Sequence, residues 1–270
     1  PLTPLGLNPP PAQVLSGDRL TLSLFWEAAE KPEADYRVRL RLVDSAGGAA
    51  LERTFLLSPY PTSRWRDGDR FESRYVLHVT ADVPADSYRL TVNVLDEEDV
   101  PLWGTDREVA TLEVVARERT FHLEGAIPHP LSVRFEKGIH LRGYDLDRTD
   151  VAPGEMIRLT LYWGVEGPTD REYTLFVHLL GADGLPHGQV DRVPGGGAAP
   201  TTSWAPGQVV VEEISLPVAA YAPPGTYHIA VGFYDPAYGD RLRLTDPSGR
   251  LLPDDQTLIP AEITVSGGSP

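Results

Sequence analysis

The stretch VLSGDRLTLSLFW, residues 14–26, recurs without a gap as VAPGEMIRLTLYW, residues 151–163. The repeat continues downstream in the same register, apart from a small change in length. The matched aromatic positions are Trp26 and Trp163, Tyr36 and Tyr173, Trp65 and Trp204, and Tyr88 and Tyr227. Two copies of one folding unit must bury similar cores, so the sequence predicts two domains of the same architecture.

Apolar and polar residues alternate within the matched blocks, as in RVRLRL, residues 37–42, and SYRLTVNV, residues 87–94. A period of two places the apolar side chains on one face of a β-strand and the polar ones on the other. Turn sequences rich in glycine, proline and aspartate separate the blocks about every ten residues, a spacing typical of sandwiches. The sequence therefore predicts an all-β fold of two tandem antiparallel β-sandwiches, immunoglobulin-like or carbohydrate-module-like.

The domain boundaries follow from the repeat. Residues 1–116 are predicted to form the first sandwich and residues 132–270 the second. Residues 117–131 are predicted to be an extended connector, because prolines on both sides of His129 stiffen that segment. Trp26 and Trp163 end strands in the inward register, so both are expected in the cores.

The two copies are expected to differ at their N-terminal ends. Alternation around Lys137 and Gly138 predicts a hairpin over residues 133–141, which has no counterpart in the first copy. The proline-rich residues 1–11 are typical of a linker rather than a strand. The first sandwich is therefore expected to lack a strand and to expose an open sheet edge, while a longer loop around Gly195 also distinguishes the second.

Composition excludes several functional classes. A formal net charge of -15 over 270 residues repels phosphate, so a nucleic-acid partner is not expected. No apolar run reaches the roughly 18–20 residues of a membrane helix and no signal peptide is visible, so any anchor or export signal is expected outside this chain. Cysteine is absent, which removes disulfides and thiolate chemistry. Few lysines and asparagines, with many prolines, favour a thermophilic source, although a GC-rich genome would also replace lysine with arginine.

No arrangement of residues has the spacing of a known catalytic or cofactor motif, and the seven histidines are scattered singly. The chain is therefore predicted not to be an enzyme and to need no cofactor. Asp145, Asp147 and Asp150 alternate after a strand of the second copy, where oxygen ligands could hold calcium. A polar strand end and turn is the favoured interpretation, because the full spacing of a calcium loop is missing.

The outward face of the second copy contains the candidate ligand-binding residues. Where the first copy has arginines, the second has aromatic and imidazole side chains, beside the small residues Ala230 and Gly232. The candidates are Phe176, His178, His228 and Tyr234. If their two strands are neighbours, a shallow trough lies beside these rings, and such faces hold sugars, bury a partner or lie under a loop. The segment 181–206 is the candidate cover.

Several motifs of the second copy resemble a known family. They are LRGYDL (141–146), PGE (153–155), LTLYW (159–163), YTLFVHL (173–179), PGTY (224–227) and VGFYD (231–235). They are similar to the C-terminal extracytoplasmic β-sandwich region of bacterial multi-spanning glycosyltransferases of the protein-mannosyltransferase type, which use lipid-linked sugars. The resemblance covers the second copy nearly whole and the first more loosely, since residues 39–42 there read RLRL. It implies an extracytoplasmic accessory module with the transferase active site elsewhere.

These observations lead to three hypotheses from different classes. The first is a non-catalytic extracytoplasmic module that recognises carbohydrate or positions an attached glycosyltransferase, with a glycan or a neighbouring domain as its partner. The second is a structural surface or filament subunit that self-associates through the open edge of the first sandwich. The third, a hydrolase with a carboxylate pair, would need two convergent acids about 5 to 9 Å apart.

Overall fold

A computed structural model describes residues 2–169 and 171–267. Residues 1 and 268–270, the ends of the two predicted domains, lie outside the described residues, as does residue 170. The chain divides into two compact units, Pro1–Arg117 and Glu118–Pro270, here called domain one and domain two. Each unit is all-β, as the alternation predicts, and the helical segments are short 3-10 turns.

Domain one is a sandwich of two sheets. Its strands are β1 (Leu2–Asn8), β2 (Gln13–Leu15), β3 (Arg19–Ala28), β4 (Arg37–Val43), β5 (Ala49–Leu56), β6 (Arg70–His78), β7 (Asp86–Leu95) and β8 (Arg107–Val115). One sheet has the order β1-β3-β6 and the other β2-β8-β7-β4-β5. The inward side chains of both sheets form a single hydrophobic core.

Domain two repeats this plan with additional strands. Its strands are β9 (His129–Phe135), β10 (Ile139–Leu146), β11 (Asp150–Val151), β12 (Met156–Val165), β13 (Thr174–Leu180), β14 (Pro186–Arg192), β15 (Val209–Pro217), β16 (Gly225–Tyr234), β17 (Leu244–Thr245) and β18 (Thr257–Val265). The sheet orders are β15-β12-β10-β9-β17 and β11-β18-β16-β13-β14. Pairing is antiparallel except that β2 and β11 run parallel to β8 and β18, a departure from the purely antiparallel prediction.

Matched aromatic residues make the same hydrogen bonds in the two domains, which confirms the duplication. Tyr88 donates its hydroxyl to the carbonyl of Pro84 and Tyr227 to that of Pro223. The indoles of Trp65 and Trp204 both donate to the carbonyl five residues earlier. Likewise, the backbone N–H groups of Tyr36 and Tyr173 donate to matched threonine hydroxyls.

The four repeated tryptophans are all fully buried, as the inward register of Trp26 and Trp163 predicts. Trp103, which has no partner in the repeat, lies beside Trp26 with a distance of 6.3 Å between ring centres. Within the described residues, no helix has the length and apolar character that crossing a membrane requires.

The expectation that residues 1–11 form only a linker is wrong. Residues Leu2–Asn8 form β1, which pairs antiparallel with β3 and bulges between Pro4 and Gly6. In domain two, β10 pairs with β12 and bulges between Leu141 and Gly143, so β1 is the counterpart of β10. Prolines are compatible with a strand at a sheet edge, and this explains why a proline-rich stretch can still pair.

The predicted hairpin is present, and it begins earlier than residue 133. Strand β9 starts at His129, inside the segment assigned to the connector, and pairs with β10. Thr120 also forms an isolated bridge with Val209, so this segment packs on domain two rather than running free. Strand β9 and the short β17 that pairs with it are the additions to domain two, and neither has a counterpart in the described part of domain one.

A buried tyrosine distinguishes the core of domain one. Tyr75 lies opposite Leu22, whereas the matching place opposite Leu159 holds Ile214. The Tyr75 hydroxyl donates to the carbonyl of Leu57, and burial raises its pKa from 10.0 to about 12.

This shift predicts an alkaline loss of stability in domain one. The unfolded chain releases the tyrosine proton near pH 10, whereas the folded domain retains it to about pH 12. The unfolding free energy of domain one should therefore fall between these pH values, by about 2–3 kcal/mol. Urea denaturation across this range should show a clearly smaller fall for Tyr75→Phe than for the parent, and an equal fall in both proteins would contradict the assignment.

Candidate functional site

The two strands that carry the candidate residues are neighbours, as the trough hypothesis requires. In the pairing of β13 with β16, Phe176 lies opposite Gly232 and His178 opposite Ala230. The trough is not open, however, because Phe176 itself fills it. A Cβ atom at Gly232 would lie 2.4 Å from Cζ of Phe176, and Phe176 is only 1% exposed. The ring is therefore part of the packing and cannot stack on a ligand in this conformation.

The segment that covers this face is different from the predicted one. The Arg241 guanidinium lies 4.5 Å from the centre of the Phe176 ring and donates to the Asp254 carbonyl and the Gln256 side chain. The connection between β16 and β18 therefore folds over the outer face. The expected cover, residues 181–206, instead forms β14 at the sheet edge and then connects to β15.

A polar cluster remains at the surface beside the buried ring. His178 Nε2 lies 2.8 Å from Oδ1 of Asp191 on the adjacent strand β14. Tyr234 is half-buried; burial raises its pKa, and the negative charge of Asp191 raises it further. Asp191 therefore lies next to both His178 and Tyr234. We call His178, Asp191 and Tyr234 the rim cluster.

His228 lies on the same outward face but outside the rim cluster. It is half-buried and stands opposite Leu180 and Glu262 in the sheet. The structure thus brings His178 and Tyr234 together around Asp191, buries Phe176 beneath Arg241, and leaves His228 to one side. Asp191 and Arg241 were missed by the sequence analysis, although alternation in residues 189–192 would have placed Asp191 on this face.

The matching face of domain one carries a network of charged residues instead. Asp106, in the connection between β7 and β8, accepts hydrogen bonds from Arg39, Arg41 and Asn93 at 2.8–3.0 Å. Burial alone would raise the pKa of Asp106, but these hydrogen bonds outweigh it and the pKa is lowered. The matching connections, β7 to β8 in domain one and β16 to β18 in domain two, therefore lie over the same face. In domain one the contact is an ionic network, and in domain two it is made by Arg241 on the Phe176 ring.

Two of the three aspartates considered for calcium, Asp145 and Asp147, serve local structure. Asp147 accepts from the backbone N–H of Arg158 and from the side chain of Arg148, and Asp145 accepts from the N–H of Leu146. Across residues 2–169 and 171–267, no group of three or more histidine or acidic side chains is placed to hold a metal ion.

Comparisons with known proteins assign no family. No family model matches the chain, and no curated protein matches it. Among solved structures, the chain is similar to a "Putative membrane anchored protein" from Corynebacterium diphtheriae, with 13% sequence identity and a TM-score of 0.27. The alignment covers 98% of this chain and 59% of that one. A similarity at this TM-score carries no structural or functional assignment.

Proposed function

We propose that this protein is a non-catalytic extracytoplasmic module that recognises carbohydrate or positions an attached glycosyltransferase. The observation that carries the proposal is the rim cluster, in which a carboxylate, an imidazole and a phenol meet at the surface of domain two. Such groups offer the donors and acceptors that sugar hydroxyls need, next to a rigid sheet. The resemblance of domain two to glycosyltransferase-linked sandwiches supports the extracytoplasmic setting.

The rim cluster also has the support that a recognition site needs. His178 and Tyr234 project from the central strands β13 and β16, and Asp191 projects from β14. The buried Phe176 ring lies 5.0 Å from the His178 ring and 6.4 Å from the Tyr234 ring, measured between centres. Side chains held in this way lose little conformational freedom when a ligand binds.

Carbohydrate recognition predicts a specific pattern of binding losses. Asp191→Ala and Tyr234→Ala should each weaken binding to a polysaccharide by about tenfold or more, because each removes a hydrogen-bonding group from the contact. Affinity gels and glycan arrays measure this directly. Tyr221→Ala is the matched control, since Tyr221 is 79% exposed and lies outside the rim cluster. Absence of binding to every polysaccharide would contradict carbohydrate recognition. Equal binding by the parent and all three variants would contradict it as well.

The other part of the proposal, positioning of an attached glycosyltransferase, needs a separate experiment. A photo-crosslinker at Asp191 in cells should capture a membrane-bound glycosyltransferase, whereas the same crosslinker at Asp82 in domain one should not. Equal capture from both positions, or none from either, would contradict positioning through this face.

A second candidate function is assembly of copies through sheet edges. The expectation behind it, a missing first strand in domain one, is wrong, because Leu2–Asn8 pairs with β3 as β1; what still favours this candidate is that β1 ends its sheet among the described residues. Light scattering tests this candidate, because a subunit of this kind should increase in mass with concentration. A mass that stays that of a monomer across the range of protein concentrations would contradict assembly through sheet edges.

A further inference from the structure

Domain two contains a cavity of about 550 Å³ on the outer face of the sheet that includes β9, β10 and β12. His140 and Arg142 of β10 line it, and their neighbours in the strand point into the core. The remaining wall comes from the start of β9 and from the segment 121–127 that precedes it. A cavity of this volume has the size of a small-molecule site.

The segment that forms this wall is fixed to domain two at both ends. Before it, Arg119 donates to the carbonyl of Ser203, and the N–H of Val209 donates to the carbonyl of Thr120 at 2.8 Å. At its end, the Ile127 side chain lies at the bulge of β10, within 2.4 Å of where a Cβ at position 143 would stand. The cavity is therefore preformed, and a ligand would have little to order on binding.

The cavity is basic, although the chain as a whole is strongly acidic. Arg142, His140 and His122 line it, and no acidic residue is among its described lining residues. Across residues 2–169 and 171–267, no carboxylate forms an ion pair with Arg142. Glu166 lies 3.8 Å from Nδ1 of His140, but it is already paired with Arg134. The cavity thus offers a positive charge that the described part of the protein does not neutralise.

The position of this guanidinium depends on two features of domain two. Arg142 is the extra residue of the bulge in β10, and bulges redirect side chains. Its stem lies on Gly164 of β12, where a Cβ would be 2.8 Å from Cδ of the arginine. The matching positions of domain one hold Leu5 and Glu27, and Glu27 is paired with Arg70. The arrangement is therefore not repeated in domain one.

We propose that this cavity binds a small carboxylate ligand, with its carboxylate on Arg142 and His140. The planar fork of a guanidinium matches a carboxylate in geometry. A single arginine suits a single negative charge, whereas the net charge of -15 opposes a doubly charged phosphate. The apolar part of the ligand packs on Phe121, Leu123 and Ile127. This inference goes beyond the proposed function and does not depend on the rim cluster.

His140 provides a spectroscopic test of where the carboxylate lies. The charged and titratable groups around it are Arg134, Arg142, Glu166 and His122. Burial lowers the pKa of His140, and the two arginines lower it further, against the opposing charge of Glu166. A carboxylate bound beside the ring favours the protonated form, so benzoate should raise the pKa of His140. An NMR titration of the histidine ring signals measures this, and an unchanged pKa with benzoate bound would overturn the placement.

Benzoate is also the probe for affinity, because it joins one carboxylate to an apolar ring. Chemical-shift titration of the full chain should show millimolar binding, as expected for so small a ligand. Benzamide, its uncharged analogue, should bind at least about tenfold more weakly. Arg142→Gln should cause a similar loss for benzoate, since it removes the charge and keeps the stem on Gly164. The control Arg158→Gln makes the same charge change on the same face of β12, about 20 Å along the strand, and should leave affinity within about twofold.

Several results would overturn the proposal. Absence of benzoate binding to the parent would do so, as would equal affinity for benzoate and benzamide. An equal loss in Arg142→Gln and Arg158→Gln would show only a general effect of charge. Tighter binding of phenyl phosphate than of benzoate would contradict the carboxylate assignment. Arg142→Gln should leave polysaccharide binding unchanged, so failure at this cavity is distinguishable from failure at the rim cluster.

Discussion

Replacing Trp163 with alanine is expected to lower the unfolding free energy of domain two by about 3–5 kcal/mol. Trp163 is fully buried, and its ring lies 4.9 Å from Phe233, 5.8 Å from Phe135 and 6.4 Å from Trp204, measured between centres. Its removal would leave a large cavity among rings from both sheets. The surrounding strands are held by their ladders and cannot collapse to fill it.

Guanidinium denaturation followed by tryptophan fluorescence measures this effect. The transition of domain two should move to lower denaturant, while that of domain one stays in place, because its core is separate. Tyr238→Ala is the control: Tyr238 is 75% exposed, and its removal should change stability by about 0.5 kcal/mol or less. A loss below about 1 kcal/mol for Trp163→Ala would contradict the central position of this ring.

The second large effect is expected from Gly143→Ala, which should destabilise domain two by about 2–4 kcal/mol. The added methyl group would meet the side chain of Ile127 and the carbonyl of His129. The carbonyl belongs to the backbone of β9 and cannot rotate away. The φ of Gly143 is 157°, in a region that residues with a side chain rarely adopt.

The matched control is Gly6→Ala in the same chain. Because a Cβ at Gly6 meets nothing among the described atoms, this variant should be neutral, or more stable by up to about 1 kcal/mol through the unfolded state. Hydrogen exchange should show faster exchange in β9 and β10 for Gly143→Ala, whereas Gly6→Ala should leave β1 unchanged. Equal thermal midpoints for the two variants would contradict the role of β9 at this edge.

Much of the fold could be predicted from the sequence, because its determinants are periodic and local. Alternation in residues 37–42 sets which side chains point inward, and a slip of one residue would turn them all to water. The repeat of that register in residues 174–179 leaves one compatible arrangement for both domains. Strand β1 was missed because a short edge strand has weak alternation, and its prolines are also typical of linkers.

The candidate site was predicted only in part. Alternation and the repeat placed His178 and Tyr234 on one outward face, and the structure has them there. Whether that face is open or covered depends on residues distant in sequence. Arg241 covers Phe176 from a connection without regular periodicity, and Asp191 reaches His178 from the next strand.

The sequence by itself determined the duplication, the all-β class and the buried tryptophans, since these depend on the spacing of apolar residues along one strand. Only the tertiary structure decided which surfaces are covered. Phe176 is buried because Gly232 and Arg241 meet it in space, and Gly143 is enclosed because β9 crosses it. Gly6, which occupies the matching position in the repeat, remains exposed. Covering requires contacts between segments far apart in the chain, and no local pattern records which of those contacts form.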